Sequence, residues 1–321
     1  MNTFLSTSII ALLLFFSNLS IAQTVHSYPN KPIRVIVGIA AGGATDLQAR
    51  WFAQTLSTSL GRPFVIDNRS GAGGIIASQI ASAAEPDGYT LLVATPAITI
   101  APALHPHGTI HPAKDMAPIS LITKSPFFVV VRTSFNVKTM IELIEYAKQR
   151  PDQLLVGAPT GTSIHLGVIW FAQASQTRLT IVTYKGNAPV FTDLIAGQIN
   201  ASMANGVSVF PLLKSGKLRA LAVTSIERST VMPDLPTVAE SGVPFYDVNT
   251  WHGWLAPKNT KRSIILKLNA ELSKAVKSTD LSEKLTKDAA IVIASTPEIF
   301  SHHLVNEIQR WKMLSKKIQP E

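Results

Sequence analysis

The feature that most constrains this chain is a repeated order of strand, glycine-containing loop and helix that begins near Lys31. Short β-branched runs alternate with longer stretches in which apolar residues recur at helical spacing. The first unit has a strand at 33–37, a loop at 40–45 and a helix at 46–60 that ends before Gly61. Because this order is typical of βαβ units, it predicts an α/β protein with mainly parallel sheets.

The length of the chain predicts two lobes. A chain of 321 residues is too long for one ordinary domain, and it allows each of two domains to bury its own core. We assign residues 23–126 and 249–321 to lobe 1, and residues 127–248 to lobe 2. The chain would then cross between the lobes twice, near 125–127 and 247–250, where extended segments can form a hinge.

The first 22 residues predict a secretion signal. They hold an apolar run at 9–16, followed by Ser20-Ile21-Ala22, which supplies small residues at both positions that signal peptidase reads. The run is shorter than the about 20 apolar residues that a membrane-spanning helix needs. Since no Lys or Arg precedes the run, an uncleaved anchor is the alternative. We expect cleavage near Ala22 and a soluble, periplasmic mature protein.

The composition argues against several classes of function. The chain has no cysteine, which excludes disulfides, thiolate metal sites and a lipid-modified N-terminal Cys. Its formal net charge of +9 could favour nucleic acid, but the basic residues are spread out or lie on late helices without interleaved aromatic residues. We expect no nucleic-acid partner, and we interpret the charge as a solvated surface that can attract anions.

Sequence motifs for catalysis and cofactor binding are missing. There is no P-loop, zinc-protease or nucleophile-elbow pattern, and Gly71-x-Gly73 is followed by Ile76 where a dinucleotide motif needs glycine. Ser163 and His165 are two residues apart and would not face each other on a helix. We expect no catalytic residue, cofactor or metal. Two clusters are interpreted as solvated surface, with metal binding as the alternative: His105, His107 and His111, and His302, His303 and Glu307.

Three glycine-rich loops, at 42–46, 71–74 and 161–163, each follow a predicted strand and lead into a helix or a helical stretch. Open parallel sheets bind ligands beyond the carboxyl ends of their strands. Glycine lets several backbone N–H groups approach one oxygen atom, and helix N-termini favour negative charge. The loops therefore predict an anion as the ligand.

Few side chains in these loops carry charge. Thr45 and Ser163 can cap a helix, bind ligand or do both. Asp46 is interpreted as complementing the helix dipole, with a contact to a ligand amine or hydroxyl as the alternative. The second loop extends back to Asn68, and Arg69 within it is the only cation in the three loops. We therefore expect neutral amide and hydroxyl donors, with bridging water, to hold the anion at about micromolar affinity.

A series of short motifs runs through the mature chain in a fixed order. The first four are Tyr28-Pro29-x-Lys31-Pro32-Ile33-Arg34, Ala40-Ala41-Gly42-Gly43-x-Thr45-Asp46, Asn68-Arg69-x-Gly71-Ala72-Gly73-Gly74 and Pro86-Asp87-Gly88-Tyr89-Thr90-Leu91-Leu92. The later four are Gly161-Thr162-Ser163-Ile164-His165-Leu166, Tyr184-Lys185-Gly186, Gly216-Lys217-Leu218-Arg219-Ala220-Leu221-Ala222-Val223-Thr224 and Leu235-Pro236-Thr237-Val238-Ala239-Glu240. Together they resemble the Bug solute receptors of tripartite tricarboxylate transporters.

The resemblance implies a type II periplasmic binding protein fold, with two doubly wound lobes joined by a two-segment hinge. It also implies capture of a small carboxylate (a dicarboxylate, tricarboxylate, amino acid or aromatic acid) and delivery to the membrane subunits of a tripartite transporter. A ligand sensor that presents the bound carboxylate to a signalling receptor is the alternative. Carried over by position, the implied ligand-binding residues are Ala41, Gly42, Gly43, Thr45, Asp46, Asn68, Gly73, Thr95, Ala97, Gly161, Thr162, Ser163, His165, Lys185, Gly186, Ala188 and Asn205.

Two positions depart from the pattern of this family. Gly38-Ile39 stands where members usually show Pro and an aromatic residue, and Ala204 stands where many show Asp before Asn205. Both departures bear on which ligand side chain the protein accepts.

Overall fold

The computed structural model describes residues 28–104, 109–287 and 289–318. The predicted signal sequence, His105 and His107 lie outside these residues. The chain divides into a short unit, Met1–Asn30, and a large unit, Lys31–Glu321. In the short unit the described residues include a cis peptide bond between Tyr28 and Pro29. All the helices and strands named below belong to the large unit.

The elements of the large unit alternate between strand and helix over most of its length. In chain order the first are β1 (Ile33–Val37), α1 (Ala44–Leu60), β2 (Phe64–Asn68), α2 (Ile75–Ser82), β3 (Thr90–Ala94), α3 (Ala97–Leu104), α4 (Pro112–Asp115), β4 (Met116–Arg132), α5 (Met140–Gln149), β5 (Leu155–Pro159) and α6 (Ser163–Ala174). The others are β6 (Thr180–Tyr184), α7 (Asn187–Ala196), β7 (Ala201–Asn205), α8 (Gly206–Lys214), β8 (Leu218–Val223), β9 (Asn249–Pro257), α9 (Arg262–Ala275), α10 (Thr279–Lys287), β10 (Ile291–Val292) and α11 (Pro297–Ile318).

One continuous sheet connects these strands in the order β2-β1-β3-β9-β4-β7-β5-β6, with β8 and β10 pairing to β4 at its sides. β1 is parallel to β2 and β3, and β5 is parallel to β6 and β7. We call β1–β3 the first half-sheet, and β5–β8 the second half-sheet. The antiparallel strands β4 and β9 join them. The sheet thus consists of two parallel groups, as the repeated units predict, with an antiparallel connection between them.

The connection is longer than the sequence indicated. The apolar run Phe127–Val131 predicts a short strand, whereas β4 is a single strand of 17 residues. Nearly all of β4 is buried on both faces, so it lacks the alternation that identifies a half-exposed strand. Its residues Ser125 and Pro126 pair with Thr250 and Asn249 of β9. The two segments predicted to form a hinge are therefore adjacent strands.

Each half-sheet has its own apolar core. One cluster of buried residues takes all its members from 127–248, and another takes its members from 36–121 and 251–304. α9 and α11 pack on β4, and α11 also contacts α3 and α6. The lobe boundaries named above stay a prediction, which this division of the core supports.

Several elements were missed because their composition is unusual. α3 contains Pro102 and α8 contains Pro211, and proline normally interrupts a helical pattern. β7 has the sequence ASMAN, which is rich in small residues and lacks β-branched ones. Burial between β4 and β5 places it in the sheet regardless of its weak propensity. No helix in the described part of the chain has the length and apolar character that a membrane crossing requires.

Candidate ligand-binding cleft

A cavity of about 1350 Å³ lies between the loops of the two half-sheets. The first half-sheet contributes loops near 38–45, 70–74 and 93–98, and the second contributes loops near 159–164, 184–189 and 205–208. These loops follow the carboxyl ends of β1, β2, β3, β5, β6 and β7. The cavity therefore lies where parallel sheets usually bind ligands, and we call it the cleft.

Several helices begin at the cleft without a side-chain cap. Gly43 precedes α1, Gly74 precedes α2, Gly186 precedes α7 and Asn205 precedes α8, and none of these residues makes a capping side-chain hydrogen bond. The first N–H groups of a helix have no partner within the helix. The ends of the four helix dipoles thus give the cleft a positive potential and backbone donors that suit an anion.

The cleft has one charged side chain among its described lining residues, that of Lys185. Arg69, the cation expected in these loops, does not line the cleft and forms an ion pair with Asp67 at 2.9 Å. No described lining residue is acidic. An anion in the cleft would therefore meet one ammonium group and no fixed negative charge from the lining residues.

Most of the residues implied in ligand binding do line the cleft. They are Ala41, Gly42, Gly43, Thr45, Gly73, Thr95, Ala97, Gly161, Thr162, Ser163, Lys185, Gly186, Ala188 and Asn205. The structure does not place Asp46, Asn68 or His165 on its surface. The contact of any of these residues with a ligand stays a prediction.

The sequence analysis missed an apolar part of the lining. Ile39, Phe127, Ile164 and Phe191 all line the cleft. In the sequence, Ile39 stands out only as a departure from the family pattern, and Phe127 only as part of an apolar run that predicts a strand. A sequence shows that such residues are apolar, but the packing of the chain decides whether they face a core or a cavity. They offer an apolar surface to the carbon skeleton of a ligand.

Asp46 stabilises the loop between β1 and α1 through hydrogen bonds made by its buried carboxylate. Asp46 is 1% exposed, and its carboxylate accepts hydrogen bonds from the Gly42 N–H at 2.9 Å, Arg50 Nε at 2.9 Å and Asn68 Nδ2 at 2.8 Å. Asn68 Nδ2 also donates to the carbonyl of Ile39 at 3.1 Å. Burial alone would raise the pKa of Asp46, but the hydrogen bonds from Arg50, Gly42 and Asn68 outweigh it and hold the pKa below its usual value.

We expect Asp46→Asn to lower the free energy of unfolding by about 1–3 kcal/mol at pH 7, because an amide cannot pair with Arg50 and directs N–H hydrogens at other donors. Since the pKa of Asp46 is lowered on folding, its contribution is present above the unfolded pKa and is lost as pH falls through the folded pKa. Urea denaturation should show that the variant loses less free energy of unfolding, relative to the parent protein, in acid than at pH 7. Asp152→Asn is the matched control, because Asp152 also pairs with an arginine but is exposed; an equal loss there would contradict the prediction.

His165 and Thr162 support the loop that precedes α6. The Thr162 hydroxyl donates to the Pro159 carbonyl at 2.7 Å and accepts from the His165 N–H at 3.3 Å. The Gly161 N–H donates to His165 Nδ1 at 3.4 Å, and burial lowers the pKa of His165. A neutral His165 therefore serves as an acceptor for the loop.

The cluster His302, His303 and Glu307 on the last helix was predicted to be solvated surface, and this prediction is wrong for two of its three residues. Glu307 is buried and accepts a hydrogen bond from Trp251 Nε1 at 3.2 Å. The ring of His303 packs against Trp251 with centroids 5.1 Å apart, whereas His302 is exposed. α11 packs on the core of the first half-sheet, and helical spacing turns His303 and Glu307 toward that core. In the described ranges, no group of three or more His, Asp or Glu side chains is arranged to hold a metal ion.

Two α/β half-sheets whose glycine loops and helix N-termini face one cleft define a two-lobed solute-binding protein. Residues 48–319 match the family model described as the tripartite tricarboxylate transporter family receptor, TctC. The chain belongs to this family, whose members are periplasmic solute-binding receptors and not enzymes. The predicted family is thereby confirmed.

Solved structures show the same fold over nearly the whole chain. The periplasmic binding protein BugD is 32% identical, with a TM-score of 0.81 over 90% of this chain and 98% of that chain. MatC from Rhodopseudomonas palustris with bound malate is 32% identical, with a TM-score of 0.80 over 89% and 99%. The R. palustris protein Rpa4515 with adipate is 35% identical, with a TM-score of 0.83 over 90% and 97%. These neighbours confirm the predicted periplasmic binding protein fold.

Proposed function

We propose that this protein captures a small carboxylate in the cleft and delivers it to the membrane subunits of a tripartite transporter. The observation that carries the proposal is the lining of the cleft, which combines four uncapped helix N-termini with Lys185 and has no acidic side chain among its described residues. Neighbours with bound malate and adipate support a carboxylate as the ligand. Membership of the transporter receptor family supports delivery to membrane subunits.

The same lining supports reversible capture. A hydrogen bond to a charged group contributes about 1.5–3 kcal/mol, so a few backbone donors account for micromolar binding once ordering costs are subtracted. Residues from both half-sheets line the cleft, so a ligand that contacts both would favour a closed arrangement of the two proposed lobes. Release of the ligand then requires only that the two lobes reopen.

Isothermal titration calorimetry of the exported protein with malate, succinate and adipate tests the ligand class. We expect at least one of these dicarboxylates to bind with a Kd of about 1 μM and to raise the melting temperature. Succinamide, the neutral diamide of succinate, is the control because it has the same shape without charge. Equal binding of the diamide would contradict an anion-binding cleft.

We expect Lys185→Met to weaken dicarboxylate binding about tenfold, because it removes the positive charge while keeping most of the apolar stem. The affinity of the variant should also depend less on salt, since one screened attraction is lost. Lys217→Met is the matched control, because Lys217 is also exposed but lies outside the cleft. Titrations at low and high NaCl measure both effects, and equal affinities for the two variants would exclude a role for Lys185.

A further inference from the structure

Four buried polar side chains form a continuous hydrogen-bonded series that starts at the cleft. Thr45 lines the cleft, and its Oγ1 lies 2.9 Å from Nε2 of His252. The other ring nitrogen of His252, Nδ1, lies 3.3 Å from Oγ1 of Thr123. That hydroxyl donates to Oε1 of Gln48 at 3.1 Å. The exposed fractions of Thr45, His252, Thr123 and Gln48 are 8%, 4%, 0% and 2%, so the three residues behind Thr45 are shielded from bulk water.

The series connects the first loop of the cleft to the two strands that join the half-sheets. Thr45 and Gln48 lie on the first turns of α1, Thr123 lies on β4 and His252 lies on β9. Thr123 and His252 are directly paired across the two strands. The strand pairing fixes the backbone of both residues, and the contacts of the two ring nitrogens with Thr45 and Thr123 orient the imidazole.

The imidazole of His252 is neutral. Burial lowers its pKa to about 4, so at neutral pH only one of its two nitrogens carries a hydrogen. The partners of the two nitrogens therefore decide which one that is.

The directions of the hydrogen bonds follow from the number of hydrogens. The Oε1 atom of Gln48 has none, so the hydroxyl of Thr123 gives its single hydrogen to that atom. The oxygen of Thr123 then can only accept from His252, which places the imidazole hydrogen on Nδ1. Nε2 is left with a lone pair, and it accepts the hydrogen of the Thr45 hydroxyl.

We propose that His252 is a positioning residue that draws the Thr45 hydroxyl hydrogen away from the cleft, so that Thr45 offers only lone pairs to a ligand. The neighbouring N–H groups in the first turn of α1 provide donors for a carboxylate. A lone pair beside them suits an acid with a hydrogen-bond donor, a hydroxyl or an ammonium group, on the carbon next to the carboxylate. This inference rests on the proposed function, and it narrows the ligand to 2-hydroxy or 2-amino acids.

The tautomer of His252 can be observed directly in the ligand-free protein. Long-range ¹H–¹⁵N correlation spectra distinguish a protonated from an unprotonated ring nitrogen, and His252→Asn identifies the signals by their loss. We expect a protonated Nδ1 and an unprotonated Nε2 at pH 7. A hydrogen on Nε2 would overturn the inference, because the Thr45 hydroxyl could then donate to a ligand.

The selectivity is measured with matched pairs of acids, malate against succinate and 2-hydroxyadipate against adipate. We expect the hydroxylated member of a pair that binds to bind roughly three- to tenfold more tightly. Thr123→Val removes the acceptor of Nδ1, and Thr123 does not line the cleft. The imidazole hydrogen should then move to Nε2. The ratio of affinities for the hydroxylated and unsubstituted acid should fall to about one. Thr177→Val is the control, because Thr177 is also a buried threonine and has a side-chain hydrogen bond outside the cleft.

A preference that is unchanged in Thr123→Val, or lost equally in Thr177→Val, would overturn the inference. If none of the four acids binds although Nδ1 carries the hydrogen, the proposed function fails together with the selectivity that rests on it. If the acids bind but Nε2 carries the hydrogen, this inference alone fails.

Discussion

Gly253→Ala is expected to lower the free energy of unfolding by about 3 kcal/mol. A Cβ atom at this position would lie 2.2 Å from Cζ of Phe300 and less than 3 Å from both adjacent ring atoms. Phe300 is fully buried and packs edge-on against Trp251 with centroids 5.8 Å apart. The ring cannot move aside without disturbing that contact, and Gly253 is held by β3 and β4 on either side. Urea denaturation followed by circular dichroism measures the loss.

The control for this prediction is Gly186→Ala. No atom of the described residues lies within 4 Å of a Cβ added there, and the backbone of Gly186 is extended, with φ 175° and ψ 178°. We expect a change within about 0.5 kcal/mol. A double variant, Gly253→Ala with Phe300→Ala, should cost clearly less than the sum of the single variants, because removing the ring removes the clash. Additive losses would show that Phe300 is not the cause.

Ala188→Asp is expected to weaken dicarboxylate binding roughly 100-fold or more. Ala188 lines the cleft in the first turn of α7, where no acidic residue is present. A carboxylate there would repel an anionic ligand and compete with it for the helix N-terminus and Lys185. The same charge complements the helix dipole, so the variant should fold with equal or slightly greater stability. Loss of binding would then not result from unfolding.

Ala188→Asn separates charge from size for this prediction. Asparagine has nearly the same volume as aspartate and is neutral, so we expect its effect on affinity to be less than tenfold. Calorimetric titrations of both variants with whichever dicarboxylate binds the parent protein, together with melting curves, provide the comparison. If asparagine and aspartate weaken binding equally, steric exclusion rather than charge would explain the result.

The sequence predicted the architecture well because its signals are local. The strand at Ile33–Val37, the helix that ends before Gly61 and the parallel pairing of successive strands all follow from short-range periodicity and turn residues. The glycine loops were expected at the carboxyl ends of strands, and the structure brings them together around one cleft. Three of the eight family motifs contain these loops.

Helix boundaries were less well predicted where a cap carries no side-chain signal. The first helix was expected to begin at Asp46 but begins at Ala44, because Gly43 provides an extended residue before it without a capping side chain. Asp46 lies in the first turn, where its carboxylate binds the N–H of Gly42. A carboxylate near a helix start indicates the turn but not the residue at which the helix begins.

The sequence by itself determined the order of strands and helices, the glycine loops after the strands and the lack of cysteine ligands, because each is a property of residues close together in the chain. Only the tertiary structure decided that Asp46 is buried beneath its loop and which of the loop residues line the cleft. The bond between Thr45 and His252 joins residues 207 positions apart. Such contacts depend on how separate elements pack, and no local pattern of apolar or polar residues records that packing.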